Sequence, residues 1–254
     1  MARMWQRLAS VAFFVCLVVV LSQCNLLSGL KPTAGAPCMI GNNRFQCMDP
    51  VNAMLCQNGK WVNMPCRGPR GCTGAGAAQT CDDNLAQSGE ACVMEASDNI
   101  ACGTDKLNEL TCVAGTWKVT RTCKGPKKCT FAGAIFSCDD SMGDVGDPCA
   151  VEAGDDNYGC SSDKKIEVVC DAATTKFQPW NTCRGPKGCW IASSRVYCDQ
   201  NVARLGDRCR PVDNHSCNEE ATQELKCSPQ FTWVKQHDCK HDGCKIKNSD
   251  VYCE

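Results

Sequence analysis

Cysteine is the residue through which this chain does chemistry, and the spacing of its 26 cysteines decides which chemistry that is. Thiolates hold zinc in C-x2-C or C-x4-C pairs joined by further Cys or His. They exchange electrons from C-x-x-C motifs. The chain contains no C-x2-C and no C-x-C. Its single C-x4-C, Cys239 and Cys244, lies among all three histidines, His215, His237 and His241. Those two cysteines also fill the fourth and fifth places of a repeat, so they are read as structural, and no metal and no cofactor is assigned. Cross-linking remains: at about a tenth of the residues, cysteine is in the range of disulfide scaffolds.

Other chemistries are absent by motif. There is no G-x-S-x-G, no H-E-x-x-H, no phosphate loop and no dinucleotide fingerprint. Histidine does not occur before residue 215, so no His-based mechanism is repeated along the chain. The acidic pairs Asp82-Asp83, Asp139-Asp140 and Asp155-Asp156 lack the spacing of a calcium loop and read as solvated turns. A net charge of −1 gives none of the basic surplus that nucleic acid demands. No catalytic residue is expected, and the protein is read as a non-enzyme.

Twenty-four of the cysteines fall into four sextets around a recurring basic turn. The turn reads CRGPRGC at 66–72, CKGPKKC at 123–129 and CRGPKGC at 183–189, with a worn CKHDGC at 239–244. The first sextet is Cys38, Cys47, Cys56, Cys66, Cys72 and Cys81. The second is Cys92, Cys102, Cys112, Cys123, Cys129 and Cys138. The third is Cys149, Cys160, Cys170, Cys183, Cys189 and Cys198, and the fourth is Cys209, Cys217, Cys227, Cys239, Cys244 and Cys253. All 24 are expected in disulfides, and the pairing stays open, since six cysteines permit 15 connectivities. Other positions recur with them: a Trp after the third cysteine (Trp61, Trp117, Trp180, Trp233), an acidic residue after the sixth (Asp82, Asp139, Asp199, Glu254), and a glycine opening the last three units (Gly89, Gly146, Gly206). Such periodicity marks a tandem array.

Two features could carry binding. The turns present Arg67, Arg70, Lys124, Lys127, Arg184 and Lys187, with Lys128 and Lys240 beside them. They read either as solvated charges that partly pair with the acid after the sixth cysteine, or as weak sites that together hold an anionic polymer by avidity. A third reading is a multi-headed serine protease inhibitor presenting disulfide-closed Arg or Lys loops. The repeated Trp reads as core filler lying on disulfides, and Trp190, which is not repeated, as the exposed ring available to a sugar or protein partner.

The elements that must position these residues are strands. Stretches such as LTCVAGTWKV (110–119) and IEVVCDAATTKFQPW (166–180) alternate apolar and β-branched residues about a turn, a hairpin pattern. WIASSRVYC (190–198) reads as a third strand, with Gly-Pro making the tight turn before it. Polar joints at 84–90 and 141–147 read as linkers. The expected fold is therefore small, disulfide-rich and mainly β: four tandem modules of about 47 residues, each a three-stranded hairpin-type sheet with three disulfides. A unit of that size cannot rest on a hydrophobic core alone, and aromatics are sparse at 6%. The boundaries are 37–83, 84–140, 141–200 and 201–254.

The N-terminus reads as an export signal, residues 1–24, followed by a tether, 25–36. MARMWQR is basic, and Leu8 to Leu21 is apolar but shorter than the ~20 residues of a membrane span. Leu21-Ser22-Gln23-Cys24 resembles a bacterial lipobox, which implies a lipid on Cys24; Gln23 departs from the small residue that motif carries. The C-[RK]-G-P-[RK]-x-C turn, the Trp after the third cysteine and the Asp after the sixth resemble uncharacterised cysteine-rich repeats of secreted proteins and lipoproteins of myxobacterial type. The resemblance covers about 38–254 and implies location and architecture. The expected protein is exported, lipid-anchored in the cell envelope or secreted. It meets the membrane only through its lipid and is suited to a polysaccharide or protein partner at the cell surface.

Overall fold

The structure is a computed structural model that describes residues 31–38, 44–93, 99–132, 135–151, 157–193, 195–240, 242–247 and 250–253. The segment expected to be an export signal, with Cys24, the Asp155-Asp156 pair, His241 and Glu254 lie outside the described residues. The fold is mainly β and disulfide-rich. Among the described residues there is no α-helix, only a 3-10 turn at Gly76–Ala78.

Each cysteine sextet is built on an antiparallel three-stranded sheet. In the first unit the strands are Phe45–Asp49, Asn52–Gln57 and Lys60–Pro65. The second has Ile100–Gly103, Asn108–Val113 and Thr116–Thr122. The third has Tyr158–Cys160, Ile166–Asp171 and Lys176–Thr182. The fourth has His215–Asn218, Gln223–Cys227 and Trp233–Asp238. The second and third strands are joined by two residues in the first two units, Asn58-Gly59 and Ala114-Gly115, all at positive φ. That is the turn whose twist matches the flanking strands.

The stretch read as one strand at 190–198 is instead a hairpin, Cys189–Ala192 with Arg195–Cys198. The other units carry its equivalents at Cys72–Thr73 with Thr80–Cys81, Cys129–Ala132 with Ile135–Cys138, and Cys244–Lys247 with Asp250–Cys253. In all four the fifth and sixth cysteines face each other across the ladder. The joints at 84–90 and 141–147 are not plain linkers either. Leu85–Ala86 runs parallel to Ile100–Gly103, and Met142 bridges Cys160 in the same sense. Val202–Ala203 does likewise ahead of the fourth sheet. Alternation hid this, because two-residue strands carry no period.

The disulfides pair first with third, second with fifth and fourth with sixth in every sextet. These are Cys38–Cys56, Cys47–Cys72 and Cys66–Cys81; Cys92–Cys112, Cys102–Cys129 and Cys123–Cys138; Cys149–Cys170, Cys160–Cys189 and Cys183–Cys198; Cys209–Cys227, Cys217–Cys244 and Cys239–Cys253. The last two bridges of each sextet fasten the hairpin to the sheet. A closed loop of these lengths stabilises by about 3 kcal/mol in the chain-entropy model. So many bridges suit an oxidising compartment.

The apolar cores are small and separate: Ala53, Leu55 and Met64; Ala86, Ala101, Leu110 and Trp117; Val168 and Phe177; Ala203, Leu225 and Trp233. Trp61, Trp117 and Trp233 are buried opposite the third cysteine of their unit. In the third unit that place belongs to Phe177, which faces Cys170. Trp180 is therefore not the repeated residue. Trp180 lies three residues further along the strand, in the register shift between Pro179 and Asn181.

Candidate functional site

The basic turns are where one unit meets the next, and the acid after the sixth cysteine fixes their shape. Asp82, Asp139 and Asp199 each accept a backbone N–H from inside the turn on Oδ2, from Arg70 at 3.1 Å, Lys127 at 2.8 Å and Lys187 at 3.0 Å. On Oδ1 each accepts the N–H two residues downstream, from Asn84 (3.4 Å), Ser141 (3.1 Å) and Asn201 (3.1 Å). One carboxylate thus joins the end of a unit to the start of the next. The first glycine of the turn follows from this. A Cβ on Gly68, Gly125 or Gly185 would sit 2.0–2.1 Å from that carboxylate.

The first basic residue of each turn reaches forward to the head of the following unit. Arg67 pairs with Glu90. Lys124 pairs with Asp147 at 2.6 Å and Asp144 at 2.8 Å. Arg184 meets Asp207 at 3.2 Å and Glu219 at 3.0 Å. Glu90, Asp147 and Asp207 each follow the unit-opening glycine. The corresponding residue after Gly35 in the first unit is Ala36, which makes the same backbone turn, Ala36 N–H to Thr33 O, and carries no charge. The worn turn of the fourth unit has Lys240. The cation–carboxylate clasp is thus encoded at each of the three places where two sextets adjoin in this sequence.

The second clasp shows its strength in protonation. Lys124 is raised above the ordinary lysine value by Asp144 and Asp147. Asp144 falls from 3.8 to about 2, first through Lys124 and then through the amide and hydroxyl of Ser162. A depressed carboxylate stabilises the fold above its unfolded value and loses that contribution as pH drops through the folded one. The Asp144 contribution is therefore complete above about pH 4 and is lost between 3.8 and about 2. An NMR titration of Asp144 is expected to show a midpoint near 2, moving upward in Lys124→Ala; a midpoint of 3.8 in the unmodified chain would contradict the contact.

The third junction is reinforced by arginines from the fourth unit. The Arg208 guanidinium lies 3.9 Å from the Trp180 ring centre and that of Arg210 lies 4.6 Å from Tyr158. Arg210 also pairs with Glu167, whose side chain is wholly buried and takes Asn181 Nδ2 at 2.5 Å.

The candidate contact residues therefore part company. Arg67, Lys124 and Arg184 are engaged across junctions. Arg70 turns back to Asp82 at 3.3 Å. Lys127 gives its amide to Asp139. Lys187 lies 5.7 Å over the ring of Trp190, and Trp190 stacks on Tyr197 at 5.3 Å. Trp190 is half-buried rather than free.

A second repeated residue escaped the sequence reading. Glu109, Glu167 and Glu224 are all buried, each three residues before the third cysteine, where the first unit has Ala53. Their partners differ. Arg121 meets Glu109 and also Asp140 at 2.7 Å; Asn181 and Arg210 meet Glu167; His215 and His237 meet Glu224. Burial pushes Asp140 above the ordinary carboxylate value, against the opposing pull of the Ala150 amide and Arg121. The signal was present as E-x-x-C at 109–112, 167–170 and 224–227, but a charged residue inside an apolar strand reads as exposed until a partner is placed beside it.

No protein-family model matches the chain, and no curated protein or solved structure is similar to it.

Proposed function

We propose that this protein is a non-catalytic, exported scaffold of the cell envelope: four disulfide-stapled units, 37–83, 84–140, 141–200 and 201–254, in tandem, with Cys24 as the lipid-bearing end. The observation that carries the reading is the clasp set Arg67–Glu90, Lys124–Asp147 and Arg184–Asp207. Charges spent on the neighbouring unit hold an array in one geometry. They favour a spacer over a polyanion reader that would need those cations for its ligand. Contact with a surface saccharide falls, in this reading, to the Trp190–Tyr197 pair of the third hairpin, where an aromatic face and the Lys187 ammonium adjoin.

The test is small-angle scattering of the oxidised chain beside the triple variant Arg67→Glu, Lys124→Glu, Arg184→Glu. Exposed ion pairs contribute at most about 1 kcal/mol each, so every unit should stay folded while the joints loosen. The variant is expected to show a larger radius of gyration and a broader distance distribution. An unchanged profile would remove the clasps, and the spacer reading with them.

A further inference from the structure

The fourth unit departs from the others at two points that meet in space. Eleven of the twelve bridges have at least one buried cysteine; in Cys239–Cys253 both are partly exposed. Beside that bridge, Glu224 holds His215 Nδ1 on one oxygen and His237 Nε2, at 3.1 Å, on the other. Cys253 Sγ, a ring nitrogen of His237 and a carboxylate oxygen of Glu224 all lie within 4.8 Å of one another. Cys239 Sγ is bonded to that same sulfur. The other units cannot assemble this set, because Met64, Arg121 and Asn181 occupy the place of His237 in the strand register.

We propose that Cys239–Cys253 is a reducible cover over a zinc site made of Cys239, Cys253, His237 and Glu224. A disulfide sulfur is a poor ligand and a thiolate a strong one. A dithiol supplies two electrons and two protons: its own sulfurs join as a disulfide, and the Cys239–Cys253 bond becomes two thiols. Zn2+ then displaces both thiol protons. It takes two thiolates, one oxygen of Glu224 and neutral His237 through Nε2, a tetrahedral set of the structural kind. Bonds of about 2.0–2.3 Å place such ligand atoms ~3.3–3.8 Å apart, so Cys253, His237 and Glu224 need to close by up to about an ångström, while the two bonded sulfurs must part by about 2 Å, which swings Cys239 into the set. The hairpin Cys244–Lys247 with Asp250–Cys253 stays tied to the sheet by Cys217–Cys244, so the cover can open without releasing it.

The experiment uses the full oxidised chain. It is treated with limiting dithiothreitol, with and without Zn2+, then alkylated and mapped, and bound zinc is measured after desalting. Cys239 and Cys253 are expected to be the first pair alkylated. Zn2+ should protect both, and one zinc ion should remain per opened chain. His237→Ala, at a half-exposed position, should open equally and hold no more zinc than the oxidised protein, while His215→Ala should retain it. With Co2+ in place of zinc, a thiolate charge-transfer band should appear on opening. Another bridge opening first, zinc uptake by the oxidised chain, or zinc retained in His237→Ala would each overturn the proposal.

Discussion

Arg121→Ala is expected to cost about 3–5 kcal/mol, whereas moving the first unit's residues into the same places, Glu109→Ala with Arg121→Met, should be neutral or stabilising by up to about 4 kcal/mol. Glu109 and Arg121 are both buried and face each other across the sheet of the second unit, where the first unit sets Ala53 against Met64. Removing one partner strands a carboxylate out of water, while removing both replaces two desolvated charges with apolar contact. Asp140, freed of Arg121 in the double variant, keeps the Ala150 amide at 3.3 Å and partial access to water. Hydrogen exchange of the second unit's strand amides, with disulfides intact, reads the local stability. If Arg121→Ala were as stable as the unmodified chain, the pair would not be a buried one in solution.

Gly185→Ala should destabilise the third turn by about 2–4 kcal/mol. The new methyl would fall 2.1 Å from the Asp199 carboxylate, and overpacking of this kind costs about 1–3 kcal/mol. If Asp199 withdraws, the amides of Lys187 and Asn201 lose their acceptor, at about 1 kcal/mol or more apiece. Gly206→Ala is the control. It shares the demand for glycine through its φ of +82°, but nothing lies within 4 Å of its Cβ, so only conformational strain of about 1 kcal/mol is expected. Faster exchange of the Lys187 amide in Gly185→Ala but not in Gly206→Ala would locate the effect at the carboxylate. Since Gly185 has no positive φ, a loss in Gly185→Ala no larger than in Gly206→Ala, with the Lys187 amide unchanged, would mean that the carboxylate does not close on the turn.

The sextets were legible because the order of the cysteines and the interval from fifth to sixth are kept in every unit, where a short hairpin sets the two cysteines face to face; the β class was legible in the alternation about the turns. The Trp register was legible in three units and failed at Trp180, because a second aromatic three residues earlier, Phe177, takes the place facing Cys170, and the sequence does not tell which of the two rings falls there. The clasps were hidden for a different reason. Arg184 and Asp207 are 23 residues apart, and nothing local to either side chain names the other. Gly185 could be read as a turn residue, but not as room for Asp199, until the strands between them had folded back. Glu167 looked like an interruption of an apolar strand, and its meaning came from Arg210, 43 residues downstream.

None of the twelve bridges joins one sextet to another. Oxidation of the emerging chain can then run vectorially, each group of six thiols closing among its own 15 pairings before the next six emerge. A whole unit added or lost in the gene leaves every other bridge its partner. The length of such a chain is then in effect a number of units, each closed by its own bridges.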